Sequence, residues 1–132
     1  KKKQKEGKRI IKEKTASKIL KMLEKVVVDG TSKKAKVEGY RVGGKSGTVW
    51  KISGTGGYSN DRYRAIFAGV APIENPRLVA VVLIDEPTGE FYYGGDVAAP
   101  VFSEIISESL QLLAIPPNEN VIESVLLAES SN

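Results

Sequence analysis

Four consecutive residues, Lys45-Ser46-Gly47-Thr48, set an ammonium, a hydroxyl, a bare backbone position and a second hydroxyl in a row. On an extended strand Ser46 and Thr48 project to one side and Lys45 to the other. Gly47 leaves a gap in which another backbone can lie against the strand. Two hydroxyls under the positive potential of a lysine suit a carboxylate, and the backbone N–H of Thr48 can donate to a developing oxyanion. Such a set suits an acyl-transfer site. Taken alone, the quartet also describes an exposed edge strand with small polar residues, so the surrounding elements have to decide.

Composition removes several alternatives. The 132 residues contain no cysteine and no histidine. Ser-His-Asp and Cys-His catalysis are thereby excluded, as are the usual Cys/His zinc sites, and neither metal nor cofactor is expected. The absence of cysteine permits an oxidising compartment without requiring one. No run of about 18 apolar residues is present, so no membrane span is expected. The basic N-terminus has no apolar core behind it, so no secretory signal is expected either. The net charge of +4 conceals an asymmetry: residues 1–51 hold 17 Lys/Arg against 5 Asp/Glu, and residues 52–132 hold 3 against 11. The lysines are dispersed over helix and loop with no interleaved aromatic before Tyr40, which argues against nucleic acid as the partner.

The quartet needs elements to hold it. Residues 1–14 are charged and poorly patterned, and are expected to be loosely held. From Thr15, a plausible N-cap, apolar residues Ala16, Ile19, Leu20, Leu23, Val26 and Val27 recur at three- and four-residue steps and predict a helix ended by Asp29-Gly30. Residues 31–38 read as a polar loop. Tyr40 to Trp50 reads as a glycine-rich strand and Lys51 to Asp61 as a flexible loop. Arg62 to Val70 is a second strand, opened by Tyr63. Arg77 to Ile84 is a continuous apolar run that fits a strand buried on both faces. Ala71 to Pro76 is a short turn, so the last two strands should form an antiparallel hairpin. Asp85 to Gly95 reads as a loop. Pro100 then fits the first turn of a helix with a stripe of Val101, Phe102, Ile105, Ile106, Ser109, Leu112 and Leu113, stopped by Pro116-Pro117. Residues 118–132 read as a peripheral tail. The order is helix, three strands, helix: an α+β fold with an antiparallel sheet flanked by helices.

Within that frame, four blocks together closely resemble one family. They are Gly39-Tyr40-Arg41-Val42-Gly43-Gly44-Lys45-Ser46-Gly47-Thr48, Arg64-Ala65-Ile66-Phe67-Ala68-Gly69-Val70-Ala71-Pro72, Val81-Val82-Leu83-Ile84-Asp85-Glu86-Pro87, and Tyr92-Tyr93-Gly94-Gly95 running on to Phe102. Residues 15–117 resemble the C-terminal part of the transpeptidase domain of class B penicillin-binding proteins, above all the septal, division-specific members of Gram-negative bacteria. The resemblance implies a serine D,D-transpeptidase that cross-links peptidoglycan stem peptides ending in D-Ala-D-Ala and is acylated by β-lactams. A non-catalytic β-lactam-binding sensor of the same superfamily is the alternative.

In such enzymes three motifs meet: S-x-x-K, S-x-N and K-[ST]-G. Lys45, Ser46 and Gly47 match the third. By that match Ser46 and Thr48 bind the substrate carboxylate and the Thr48 N–H completes the oxyanion hole. Lys45 orients the serine of S-x-N and helps move protons. Tyr63, Tyr92 and Tyr93 match positions where the family carries an aromatic wall beside the cleft. Trp50 departs from it, since related sequences usually carry a small or basic residue there. The resemblance also implies a location at the inner membrane with the catalytic domain in the periplasm, and division proteins as partners.

One component is missing from the sequence. No S-x-x-K occurs: Ser17 has Leu20 at the third position and Ser32 has Ala35. The one S-x-N, Ser130-Ser131-Asn132, lies downstream of the quartet, where the family places it upstream. The nucleophile is therefore expected on an N-terminal remainder of the enzyme, which also provides the membrane anchor. The chain alone is expected to be inactive, with a three-stranded sheet open on the faces that the remainder covers.

Overall fold

The computed structural model describes residues 7–52, 54 and 56–118, and of 59–61 the backbone alone. Its elements follow as α1 (Glu13–Val28), a 3-10 turn (Lys33–Ala35), β1 (Gly43–Ile52), β2 (Tyr58–Ala71), β3 (Leu78–Asp85) and α2 (Gly94–Leu112). The three strands form one antiparallel sheet in the order β1-β2-β3. The expected class and element order hold.

Helix α1 contains neither glycine nor proline, and its one fully buried residue is Val27, with Ala16, Leu20, Leu23 and Val26 half-buried on the same side. Its start differs from the expectation. Lys12, not Thr15, is the N-cap, and the N–H groups of Thr15 and Ala16 both donate to the Lys12 carbonyl. Glu13 in the first turn suits the positive end of the helix dipole. The C-terminus is where Asp29-Gly30 placed it. Both N–H groups return to the Lys25 carbonyl, and a Cβ on Gly30 would lie 2.6 Å from the Val26 carbonyl oxygen. The loop at 31–38 is less polar in function than in composition, because Ala35 and Val37 are buried.

The glycines of the first two strands answer a packing demand. A Cβ on Gly44 would meet the Phe67 ring at 2.4 Å, and one on Gly69 would meet the Phe102 ring at 2.5 Å. The Phe67 and Phe102 rings in turn meet at 4.9 Å with their planes at 59°, joining β2 to α2 at the centre of the core. Gly43 lies against the backbone of α1 at Leu23 and Glu24. Arg41 locks that junction, donating through Nε and Nη2 to the two carboxylate oxygens of Glu24 at 2.6 Å each, with Glu74 3.5 Å from Nη1. The pairing with Glu24 first, and with Glu74, holds the Arg41 guanidinium charged with its pKa raised.

Three expectations need correction. β3 is not buried on both faces: Val82 is buried, while Val79, Val81 and Leu83 are 77%, 66% and 53% exposed. An apolar run tells that a strand needs cover and not which face receives it; here α2 covers one face. Pro100 is not in the first turn of α2, because the helix begins six residues earlier, at Gly94, and Pro100 is interior. The buried stripe is accordingly Gly95, Ala98, Ala99, Phe102, Ile106 and Leu110, while Ile105, Leu112 and Leu113 face outward. The β1–β2 hairpin also extends further than expected. Ile52 pairs with Tyr58 and Trp50 with Tyr63, so Tyr63 lies inside β2 and does not open it. The proposed tail, 118–132, lies outside the described residues from 119 on, as do residues 1–6 of the N-terminal segment.

Candidate active site

The quartet sits on β1, an edge strand whose other side carries no strand among the described residues. Lys45 is exposed, and Ser46, Gly47 and Thr48 are half-buried. The Lys45 ammonium donates to the carbonyl oxygen of Ser46 at 2.7 Å. Beside the strand opens a cleft of about 450 Å³ lined by Lys45, Ser46, Gly47, Thr48, Tyr93 and the first turn of α2. The first backbone N–H of that helix, at Gly94, donates to the Thr48 hydroxyl oxygen at 3.2 Å. That leaves the Thr48 hydroxyl hydrogen free to point at a ligand.

Gly94 is what allows this approach. A Cβ there would stand 2.2 Å from the carbonyl oxygen of Ile66 and 2.6 Å from that of Gly47. The helix N-terminus therefore closes onto β1 and β2 at backbone contact, and its dipole raises the positive potential of the cleft. Gly94 and Gly95 are legible in the sequence as a Gly-Gly pair, but the contact of Gly94 with the quartet is not; Gly95 packs against the Thr31 carbonyl. Their signal was only that two adjacent glycines often mark a close backbone approach.

The aromatic residues divide. Tyr93 lines the cleft, whereas Tyr63 and Tyr92 do not and reach it only through ring contacts with Tyr93. Tyr63 and Tyr92 stack at 4.3 Å with 16° between planes, and the Tyr92 and Tyr93 rings are 4.4 Å apart. The Tyr92 hydroxyl donates to that of Tyr93 at 3.1 Å, and chiefly for that reason its pKa is raised, which keeps it neutral. Trp50 meets Tyr63 edge-on, 5.0 Å away at 61°.

A charge network braces the hairpin behind the site. Lys51 reaches Asp85 at 3.0 Å and Glu86 at 2.5 Å, and Arg64 reaches Asp85 at 2.8 Å. Glu86 takes a left-handed backbone conformation, φ 50°, and its N–H bonds to the Tyr63 carbonyl, turning the chain from β3 toward Tyr92. Hydrogen bonds from Arg64 and Lys51 lower the Asp85 pKa, and those to Glu86 and Asp85 raise that of Lys51. A lowered carboxylate pKa stabilises the fold above the ordinary value of 3.8, and that contribution is lost as pH falls through the lower folded value. A raised lysine pKa stabilises below the ordinary 10.5 and is lost as pH rises through the higher folded value. The brace is thus intact across the neutral range. Emission from Trp50, the chain's one tryptophan, should show a transition on acidification below about pH 4 that Asp85→Asn lacks. An identical acid transition in the variant would remove Asp85 from that role.

The chain is similar to known proteins of one family. Residues 1–107 match the family described as the penicillin binding protein transpeptidase domain. The chain is 44% identical over 116 residues to stage V sporulation protein D of Bacillus subtilis, covering 88% of this chain and 18% of that protein. It is 48% identical over 115 residues to a probable peptidoglycan D,D-transpeptidase of Pseudomonas aeruginosa, covering 86% and 20%. Among solved structures, the transpeptidase domain of Burkholderia pseudomallei penicillin-binding protein 3 superposes with a TM-score of 0.77 at 50% identity, covering 85% of this chain and 34% of that one. The chain thus spans about a fifth of the length of these curated relatives and about a third of the solved domain.

Proposed function

The chain belongs to the penicillin-binding protein transpeptidase family, and from that premise we propose that it forms one wall of a peptidoglycan D,D-transpeptidase. The observation that supports this most is the K-S-G-T quartet on the open edge of β1, beside a cleft closed at its far side by the N-terminus of α2.

In this reading residues 15–117 are part of the catalytic domain. A serine of an S-x-x-K segment, not among these 132 residues, attacks the carbonyl of the penultimate D-Ala. Ser46 and Thr48 take the terminal carboxylate, and Lys45 supplies positive potential and orients the serine of S-x-N. The Thr48 N–H and the nucleophile's own N–H hold the oxyanion. The C–N bond to the last D-Ala breaks, D-Ala leaves, and the acyl group passes to an amine of a neighbouring strand. A β-lactam takes the same path as far as the acyl-enzyme. Tyr93 forms the nearer part of an aromatic wall, supported by Tyr92 and Tyr63. No described helix is long and apolar enough to cross a membrane. The proposed place at the inner membrane, with this part in the periplasm, rests on the remainder of the enzyme, as do division-protein partners.

The test uses the assembled enzyme and a peptide ending in D-Ala-D-Ala, with and without an amine acceptor. Release of D-Ala with the acyl group recovered on the acceptor is the expected result. Stable acylation by β-lactams with no transfer to any amine would replace the transpeptidase with a sensor.

A further inference from the structure

Helix α1 carries a row of charge that neither the fold nor the proposed site uses. Lys14, Lys18, Lys21 and Lys25 recur at steps of four, three and four residues, and all four are exposed. At that spacing they form one line down the solvent side of the helix, about 16 Å from first to last. Ala16, Leu20, Leu23 and Val27 occupy the opposite side and pack inward. Among the described residues none of the four ammonium groups meets a carboxylate. Glu24, beside Lys21 and Lys25 in sequence, is turned to Arg41 instead.

The row works against the helix that carries it. Lysines three or four residues apart repel one another on a helix surface. Lys14 stands in the first turn, at the positive end of the helix dipole, where a cation is disfavoured. Lys25, in the last turn, is the one member that the dipole favours. Successive repulsions with no internal partner are relieved by an outside anion whose charges are spread along a line.

The surroundings narrow the kind of anion. A bilayer is a poor fit, because an interfacial helix buries its apolar face among lipid. The apolar face of α1 is spent on the sheet, where Leu23 and Glu24 lie against Gly43. The helix has no aromatic residue on which a nucleic-acid base could stack. Ammonium groups on flexible stems are point charges that accept a partner of variable geometry, such as a flexible polymer. Gly43 is two residues before Lys45, so the row flanks the strand that seats the stem peptide in the proposed function.

We propose that the lysine row of α1 is a docking surface for the peptidoglycan strand itself, binding free carboxylates of the stem peptides next to the one in the cleft. The proposal rests on the transpeptidase reading and deepens it, since it gives the polymer a second hold outside the place of reaction.

The test measures retention of the assembled enzyme on purified, insoluble peptidoglycan. The active site is first acylated with benzylpenicillin, so that only outlying contacts are read. The combined variant Lys14→Gln, Lys18→Gln, Lys21→Gln, Lys25→Gln should lower retention about tenfold at low salt and flatten its dependence on salt. Its acylation by benzylpenicillin should be unchanged. Glutamine is close to lysine in helix propensity, and the repulsion is gone, so the melting temperature should hold or rise. Arginine at the same four positions keeps the charge and should keep retention. Undiminished retention of the glutamine variant overturns the proposal, as does a lower melting temperature, which would make the row structural. Tighter binding of the wild type to phosphatidylglycerol vesicles than to peptidoglycan also overturns it, in favour of a membrane surface. All three results leave the transpeptidase reading standing. Failure of benzylpenicillin to acylate the wild-type enzyme removes that reading and this one with it.

Discussion

Lys45→Ala slows acylation of the assembled enzyme by a β-lactam by about 10²–10³ and leaves the fold unchanged. The second half of that expectation comes from the surroundings of the side chain. Lys45 is exposed, and the one contact of its ammonium within the described residues is the Ser46 carbonyl at 2.7 Å. Removing it uncovers no core and orphans no buried group, so the loss falls on the transition state, where the positive potential acts. Thr48→Val is the informative companion. It keeps the backbone N–H proposed for the oxyanion, and so should slow acylation less than Lys45→Ala. It also deletes the acceptor of the Gly94 N–H, so it alone of the two should lower stability, by about 1 kcal/mol. Stopped-flow acylation together with thermal unfolding separates the two effects. Acylation at close to the wild-type rate in both variants would dissolve the assignment of the site.

Gly94→Ala has the largest expected effect on structure. The added methyl would lie 2.2 Å from one carbonyl oxygen and 2.6 Å from another, and both belong to strand backbone that cannot rotate away. Either the N-terminus of α2 moves off the sheet or β1 and β2 separate, at a cost of about 1–3 kcal/mol. Both adjustments break the Gly94–Thr48 hydrogen bond and widen the cleft, so acylation should fall along with the melting temperature. Gly54→Ala is the control, since a Cβ there meets nothing within 4 Å. It should change neither quantity. Equal melting temperatures for Gly94→Ala and Gly54→Ala would show that the close approach of α2 to the strands is not what shapes the site.

The parts of this architecture that the chain specifies locally could be read from it. Ala71 to Pro76 marks the β2–β3 turn by its prolines, and Asp29-Gly30 ends α1 by a backbone conformation that a side chain would obstruct. The quartet announces itself by residue type. What escaped depends on partners distant in sequence. Gly94-Gly95 reads as the end of a loop until β1 and β2 are known to press on it from 28 and 47 residues away. With the start of α2 misplaced by that pair, Pro100 took the role of first turn and the apolar stripe rotated with it. Glycines at 54, 56 and 57 make 51–61 look like one long loop and put Tyr63 at the mouth of a strand, whereas the Trp50–Tyr63 and Ile52–Tyr58 pairings carry the hairpin up to those glycines. β3 shows the same limit from the other side: eight mostly apolar residues require cover, and only the placement of α2 tells that Val82 receives it while Val79, Val81 and Leu83 do not.

The central claim is that the K-S-G-T strand serves a serine on another segment, and labelling with a fluorescent penicillin tests it most directly. The assembled enzyme is labelled, run on a denaturing gel, and the intact mass of every band measured, beside a Lys45→Ala sample. The account predicts label on the serine-bearing segment, none on residues 1–132, and a label greatly reduced at short times in Lys45→Ala. Covalent label on this chain, or undiminished labelling of the variant, would contradict it.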